Sequence, residues 1–434
     1  MGFRPDSAYV RQTKPQGGQK RPASLRATPG HPFLRVLSMS RLPPYAGPAL
    51  FSYGFRPFFL AATLFGLGVI PVWLLIWNGE MGLAPPFTPV DWHVHEMLFG
   101  YAAAVIAGFL FTAVPNWTGR MPARGWPLMA LLALWVLGRL AVFGALGLGA
   151  VWIMLLDVAF VLAIGVMILI EIVAGKNWRN MMVVVPILLL AASNAVFHIE
   201  AMTRGTTDIA RRLSISVIVF LIMVIGGRII PSFTRNWLAA RRATRLPVPF
   251  GRFDRLCLLA GVLALVAWTA LRDGAAVAVL LALAAVLHLA RMARWRGEAS
   301  WPSPLLLMLH VAYLFLPLGL LAAAAGAMGY LPEAAGVHLL GIGGIAGMTF
   351  AVMIRATRGH TGRDLSAGPA LTVAFGLLPL AGLLRALVPD LSLLGIGGIT
   401  LAGLLWTAAY AVLAVRLTPW VALPNAARKQ PSKA

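Results

Sequence analysis

The chain has 434 residues, of which 59% are hydrophobic and only 12% charged, and its mean hydropathy is +0.82. Soluble domains carry roughly 25% charged residues, so a soluble globular protein is excluded. The 36 basic and 14 acidic residues leave a formal charge of +22, which in so charge-poor a chain reports membrane orientation rather than nucleic-acid binding.

In chain order, residues 1–50 are rich in Pro, Gly, Arg and Lys, and read as a disordered basic tail. Twelve apolar runs of about 20 residues follow, at about 57–77, 92–114, 126–146, 150–173, 180–200, 213–234, 252–271, 274–292, 304–325, 335–356, 368–388 and 391–416. These place an all-α, twelve-helix transmembrane domain over 51–420 and a short tail over 421–434. Of the 36 Lys and Arg residues, 29 fall on the side that carries both termini and 5 on the other, which puts the termini on the cytoplasmic side. Spans 2, 6 and 10 end alike, in Val114-Pro115-Asn116-Trp117-Thr118, Ile230-Pro231-Ser232-Phe233-Thr234 and Met353-Ile354-Arg355-Ala356-Thr357. This recurrence every four helices suggests three four-helix units, with chance likeness between apolar helices as the competing explanation.

The single cysteine, Cys257, excludes a disulfide framework, a thiolate-held iron–sulfur cluster and haem attachment through Cys-x-x-Cys-His. A metal would have to be held by His, Met, carboxylate or water. Ionisable groups inside spans are costly and usually functional. Arg139 and Asp157 lie at one depth on either side of the turn between spans 3 and 4, which predicts a structural ion pair. His93, His95, His198 and His338 all fall near the outer ends of spans 2, 5 and 10, with Glu96, Trp92 and Tyr101 beside them. Each His alone could be an interfacial residue, but together they point to a metal or haem site. Residues i and i+2 of a helix point about 200° apart, so His93 and His95 serve different neighbours, with His198 and His338 as partners from other helices. One imidazole could bind haem iron, and the other a second haem or a copper. Glu96 is the candidate catalytic proton carrier. His288 and His310 form a second possible set: His288 reads as a packed, hydrogen-bonded residue, and His310 as either that or a cofactor ligand. His360, in a basic loop, reads as solvated or facing a cofactor carboxylate. Arg228, after the pair Gly226-Gly227, calls for an anionic partner such as a haem propionate, a carboxylate or a lipid.

The strings Phe51-Ser52-Tyr53-Gly54-Phe55-Arg56-Pro57-Phe58-Phe59, Trp92-His93-Val94-His95-Glu96-Met97, Gly108-Phe109-Leu110-Phe111-Thr112-Ala113-Val114-Pro115-Asn116-Trp117-Thr118-Gly119-Arg120 and Gly226-Gly227-Arg228-Ile229-Ile230-Pro231-Ser232-Phe233-Thr234 resemble the NnrS family, as do His338 with its Gly-rich helix and Thr357-Arg358-Gly359-His360. The likeness covers about 51–420. It implies an inner-membrane protein with haem and copper, linked to denitrification and nitric-oxide stress, and therefore a nitric-oxide partner and an electron donor. A likeness to the haem–copper oxidase catalytic subunit is weaker, because its His-His pair and His-Pro-Glu-Val string are absent. A transporter or sensor of a small ligand or metal is the alternative that twelve spans leave open.

Overall fold

The computed structural model describes residues 45–83 and 86–425, so most of the expected basic tail and positions 426–434 lie outside the described residues. Twelve helices follow a short 3₁₀ turn at Ala49–Phe51: α1 Phe55–Trp77, α2 Pro89–Thr118, α3 Trp126–Val142, α4 Ala150–Ala174, α5 Met181–Arg204, α6 Ile209–Ala240, α7 Arg252–Leu271, α8 Ala275–Ala293, α9 Pro304–Ala327, α10 Glu333–His360, α11 Gly368–Leu387 and α12 Gly398–Ala422. All but α3 are long and apolar enough to cross a membrane. At 17 residues α3 reaches about 25 Å, somewhat short of the roughly 30 Å of a bilayer core. The apolar run of α3 extends to 146, but the helix stops at Val142 because Gly144 turns into the left-handed region. Strand among the described residues is confined to a two-residue hairpin, Ser392–Leu393 with Ile396–Gly397.

Local chemistry fixes where the site-bearing helices begin and end. Thr88 caps α2, its hydroxyl oxygen accepting from the Asp91 amide at 3.1 Å, and Pro89 follows at the first turn, where its missing N–H costs nothing. Gly119 and Gly205 end α2 and α5 with positive φ. Two segments are wound as π-helix, Glu96–Ala102 inside α2 and Leu339–Ala346 inside α10. Each follows directly after a histidine, His95 and His338, and π segments inside α-helices concentrate at functional sites.

The recurrence every four helices has a structural counterpart. With α9, the helices α2, α6 and α10 are the most buried of the bundle. Together with α5 they line one apolar pocket with a volume of about 80 Å³, walled by Val105, Ile106, Ile187, Ile222, Ile225 and Val352 among others. The first and last helices close on each other. Trp406 donates to the Gly66 carbonyl at 2.7 Å, and Arg56 donates to the Val421 and Leu423 carbonyls at 2.8 Å each.

Candidate metal centre

Four helices bring one cluster together. From α2 come His95 and Glu96, from α3 Arg139, from α4 Asp157, and from α5 Asn194 and His198, and all six side chains are buried. Arg139 donates through Nη1 to Glu96 and through Nη2 to Asp157, bridging the two carboxylates. Gly100 leaves room for it, since a Cβ there would lie 3.1 Å from Arg139 Nη1. The expected Arg139–Asp157 ion pair is present, but it is no separate strut. The second oxygen of Asp157 lies 3.0 Å from His95 Nε2 and 3.1 Å from His198 Nε2, and accepts from Asn194 Nδ2 at 2.8 Å.

The protonation of His95 follows from its partners. Glu96 already accepts from Arg139, so at 3.0 Å it is His95 Nδ1 that donates to Glu96 Oε1. At Nε2 the neighbours are Asp157 Oδ2 and Asn194 Oδ1, the latter at 3.1 Å, and both are acceptors. Acceptors at both ring nitrogens require a cation between them: a second proton on the imidazole or a metal ion at Nε2. The charge count agrees. Two carboxylates against one guanidinium leave the cluster one negative charge when its imidazoles are neutral. His95 Nε2, His198 Nε2 and Asp157 Oδ2 form the core of this arrangement, and one ligand atom from each of the three residues lies within 4.8 Å of the others. Glu96 behind His95 completes the carboxylate–histidine–metal pattern that orients a ligating imidazole. Among the described residues this is the one group of three or more His, Cys, Asp or Glu with metal-ligand spacing.

The surroundings decide what size of group fits. Phe87, Phe99 and Phe197 pack on the His95 ring at centroid distances of 5.0, 5.0 and 5.3 Å, and Phe87 also meets His198 at 5.2 Å. These rings enclose the two imidazoles, and the close spacing of the ligand atoms suits a single ion.

The four outer histidines therefore divide into two pairs. His95 and His198 meet with ring centroids 5.0 Å apart. His93 points to the other side of α2, against Trp73 of α1 at 4.4 Å, and its electrostatic neighbour is His338. The 200° divergence of i and i+2 is thus what the fold uses. His288 is the packed residue expected, bonded at Nδ1 to the Tyr313 hydroxyl (2.9 Å) and at Nε2 to the Cys257 carbonyl (3.1 Å). His310 sits 2.9 Å from the Thr234 hydroxyl, well separated in the fold from the outer histidines, which lie toward the opposite helix ends. His360 is half-buried and stacks on Tyr53 at 5.5 Å. Arg228 is exposed on α6, and the glycine pair beside it serves a different cation. A Cβ on Gly227 would lie 2.5 Å from Arg291 Nη2, whose side chain is fully buried and paired with Asp254 at 2.9 Å.

Two contributors escaped the sequence reading. Asp157 was legible as an ion-pair partner but not as a ligand, because its second oxygen meets helices far away in sequence. Asn194 had a local signal: it precedes His198 by four residues, on the same face of α5.

The family model for the NnrS protein matches residues 49–424. The chain belongs to the NnrS family. A search of curated proteins finds no match. NnrS membership ties this membrane protein to the nitric-oxide response, and the His95–Asp157–His198 cluster is compatible with metal binding.

Proposed function

We propose that this NnrS protein is a haem- and copper-containing redox protein of the bacterial inner membrane that binds or converts nitric oxide in denitrification or nitrosative-stress defence. The observation that carries the reading is the convergence of His95, His198 and Asp157 on one enclosed point, with Glu96 holding the far nitrogen of His95. Two imidazoles and one carboxylate suit first-row ions, and among these copper binds such sites most tightly. The single negative charge of the cluster matches a cuprous ion or the proton it would displace. Bound copper would supply a redox-active ion open to a small ligand, and haem a second one. The chain's own residues do the rest. Arg139 bridges Glu96 and Asp157, the phenylalanine rings pack against the imidazoles, and Glu96 is in reach of the His95 Nδ1 proton and can move it. The apolar cavity between α2, α5, α6 and α10 gives an uncharged gas a route from the lipid bilayer. The charge asymmetry of the loops supports a periplasmic end for the cluster and cytoplasmic termini.

The full chain purified in detergent is the test. Expected are a Soret band, copper by elemental analysis, and a spectral change when the reduced protein meets nitric oxide in a stopped-flow instrument. Absence of both iron and copper defeats the proposal. Turnover of nitric oxide with an electron donor separates conversion from binding.

A further inference from the structure

The string Thr357-Arg358-Gly359-His360 at the end of α10 takes no part in the metal centre, yet the fold builds a second arrangement from it. The helix stops at His360. The Thr361 amide then donates to the Thr357 carbonyl at 3.0 Å, and the Arg363 amide donates back to the Arg358 carbonyl at 2.9 Å. Between them Gly362 takes a φ of +74°, the left-handed turn that lets the chain reverse. Arg358 and Arg363 are thereby brought onto one ring. Their guanidiniums lie 5.0 and 5.9 Å from the ring centroid of Trp420, in the last turn of α12. His360 anchors the turn to the other end of the chain, its ring 5.5 Å from that of Tyr53 and 5.7 Å from that of Phe55, where α1 begins. Arg56 ties α1 to α12 just beyond the indole, through the Val421 and Leu423 carbonyls.

The two guanidiniums on Trp420 lack what three other arginines at this end of the bundle have. Arg120 pairs with Glu171 at 2.7 Å, Arg291 with Asp254 at 2.9 Å and Arg296 with Glu298 at 3.0 Å. Among the described residues no carboxylate forms an ion pair with Arg358 or Arg363. Asp364 is exposed, and Arg358 Nε donates to its backbone carbonyl instead of its side chain. Arg363 Nη1 is shut off from solvent and has no hydrogen-bond partner among the described residues. An indole face attracts a cation but supplies no oxygen for its N–H groups. A buried charged donor without an acceptor is costly, and an anion bound there removes the cost.

Position in the bundle names the anion. Arg358, Arg363 and Trp420 stand at helix ends, on the side that the loop charges read as cytoplasmic, where lipid head groups meet the protein. Guanidiniums match phosphate oxygens in geometry and charge. Basic pockets between membrane helices on this side take anionic lipid head groups. We infer that Arg358 and Arg363, seated on Trp420, form a site for a phosphate group, supplied by an anionic phospholipid of the cytoplasmic leaflet. The site needs neither haem nor copper and so goes beyond the proposed function.

The experiment uses the full chain, stripped of lipid in detergent and titrated with short-chain phosphatidylglycerol, phosphatidylcholine or inorganic phosphate, with single-ligand adducts read by native mass spectrometry. Wild type is expected to bind phosphatidylglycerol about tenfold more tightly than phosphatidylcholine, whose choline cancels the phosphate charge. Arg358→Gln and Arg363→Gln should each weaken phosphatidylglycerol binding about tenfold, and Arg363→Lys, which keeps the charge, should weaken it less. Arg120→Gln removes a cation on the same side but outside the site, and should leave the affinity unchanged. Wild-type affinity in both Gln variants overturns the inference, as does an equal loss in Arg120→Gln, which would make the effect one of overall charge. Equal binding of the two lipids to wild type overturns it without any variant. If inorganic phosphate binds wild type as tightly as phosphatidylglycerol does, the lipid is overturned as the source and the phosphate site stands.

Discussion

His93 and His95 are two residues apart on one helix, yet they enter two different environments. His95 meets two carboxylates, a guanidinium and an amide, all buried and interlocked. His93 meets an indole, and keeps an unpartnered nitrogen. The contrast shows how a helix separates two chemistries at one depth. Turning about 200° between the residues is enough to face different helix neighbours. It also separates two kinds of buried polar group. One is a dense network whose parts depend on one another, and the other is sparsely bonded.

The largest expected effect comes from breaking the network. Arg139→Met leaves Glu96 and Asp157 buried and unpaired, and should cost about 3–5 kcal/mol, read as lost thermal stability in detergent. A variant as stable as wild type would mean that the two carboxylates are not charged together. Next comes Glu96→Gln. The amide can still accept from both Arg139 and His95 Nδ1, so the fold should survive. Metal affinity should nevertheless fall roughly 10–100-fold, because the ligand imidazole loses the carboxylate that raises its basicity. Isothermal titration with copper measures it, and unchanged affinity would remove Glu96 from the metal's support.

The sparsely bonded histidines should behave differently. His338→Gln loses one hydrogen bond to Ala334 and should change stability by about 1 kcal/mol, far less than Arg139→Met. A destabilisation as large as that of Arg139→Met would show that His338 is structural.

The smallest effect concerns the outer loops. Asp208 lies between α5 and α6 among Arg211, Arg212 and Arg272, which also reach Glu333 at the start of α10. Burial works against ionisation of Asp208, but the arginines together outweigh it and hold its carboxyl below the ordinary value. A depressed carboxyl contributes stability that is complete above the unfolded-state pKa, about 3.9, and is lost as pH falls through the lower folded value. Asp208→Asn should flatten that acid-side loss in a melting series from about pH 5 to pH 3. Because the Asp208 side chain is 36% exposed, solvent screening keeps the effect under about 1 kcal/mol. An unchanged slope in the variant would show that the arginines do not depend on Asp208.

Much of the molecule was legible before any fold was known, for a local reason. A membrane span needs only its own run of apolar residues, so the helices could be counted along the chain. The Arg139–Asp157 pair was legible because a short turn sets two antiparallel helices side by side. The recurrence of Pro-x-x-Thr strings at the ends of α2 and α6 marked two of the helices that line the central cavity. What Gly227 makes room for was not legible, because Arg291 comes from α8, far away in sequence.

The sequence by itself determined that this is an all-α membrane protein, that its histidines gather at one depth, and that His93 and His95 face apart. Periodicity and hydropathy are properties of one helix at a time. Only the tertiary structure decided that His95 pairs with His198 and Asp157, that His93 lies against Trp73, and that Arg139 serves two carboxylates at once. Those choices depend on how helices from distant parts of the chain pack side by side, which no single helix encodes.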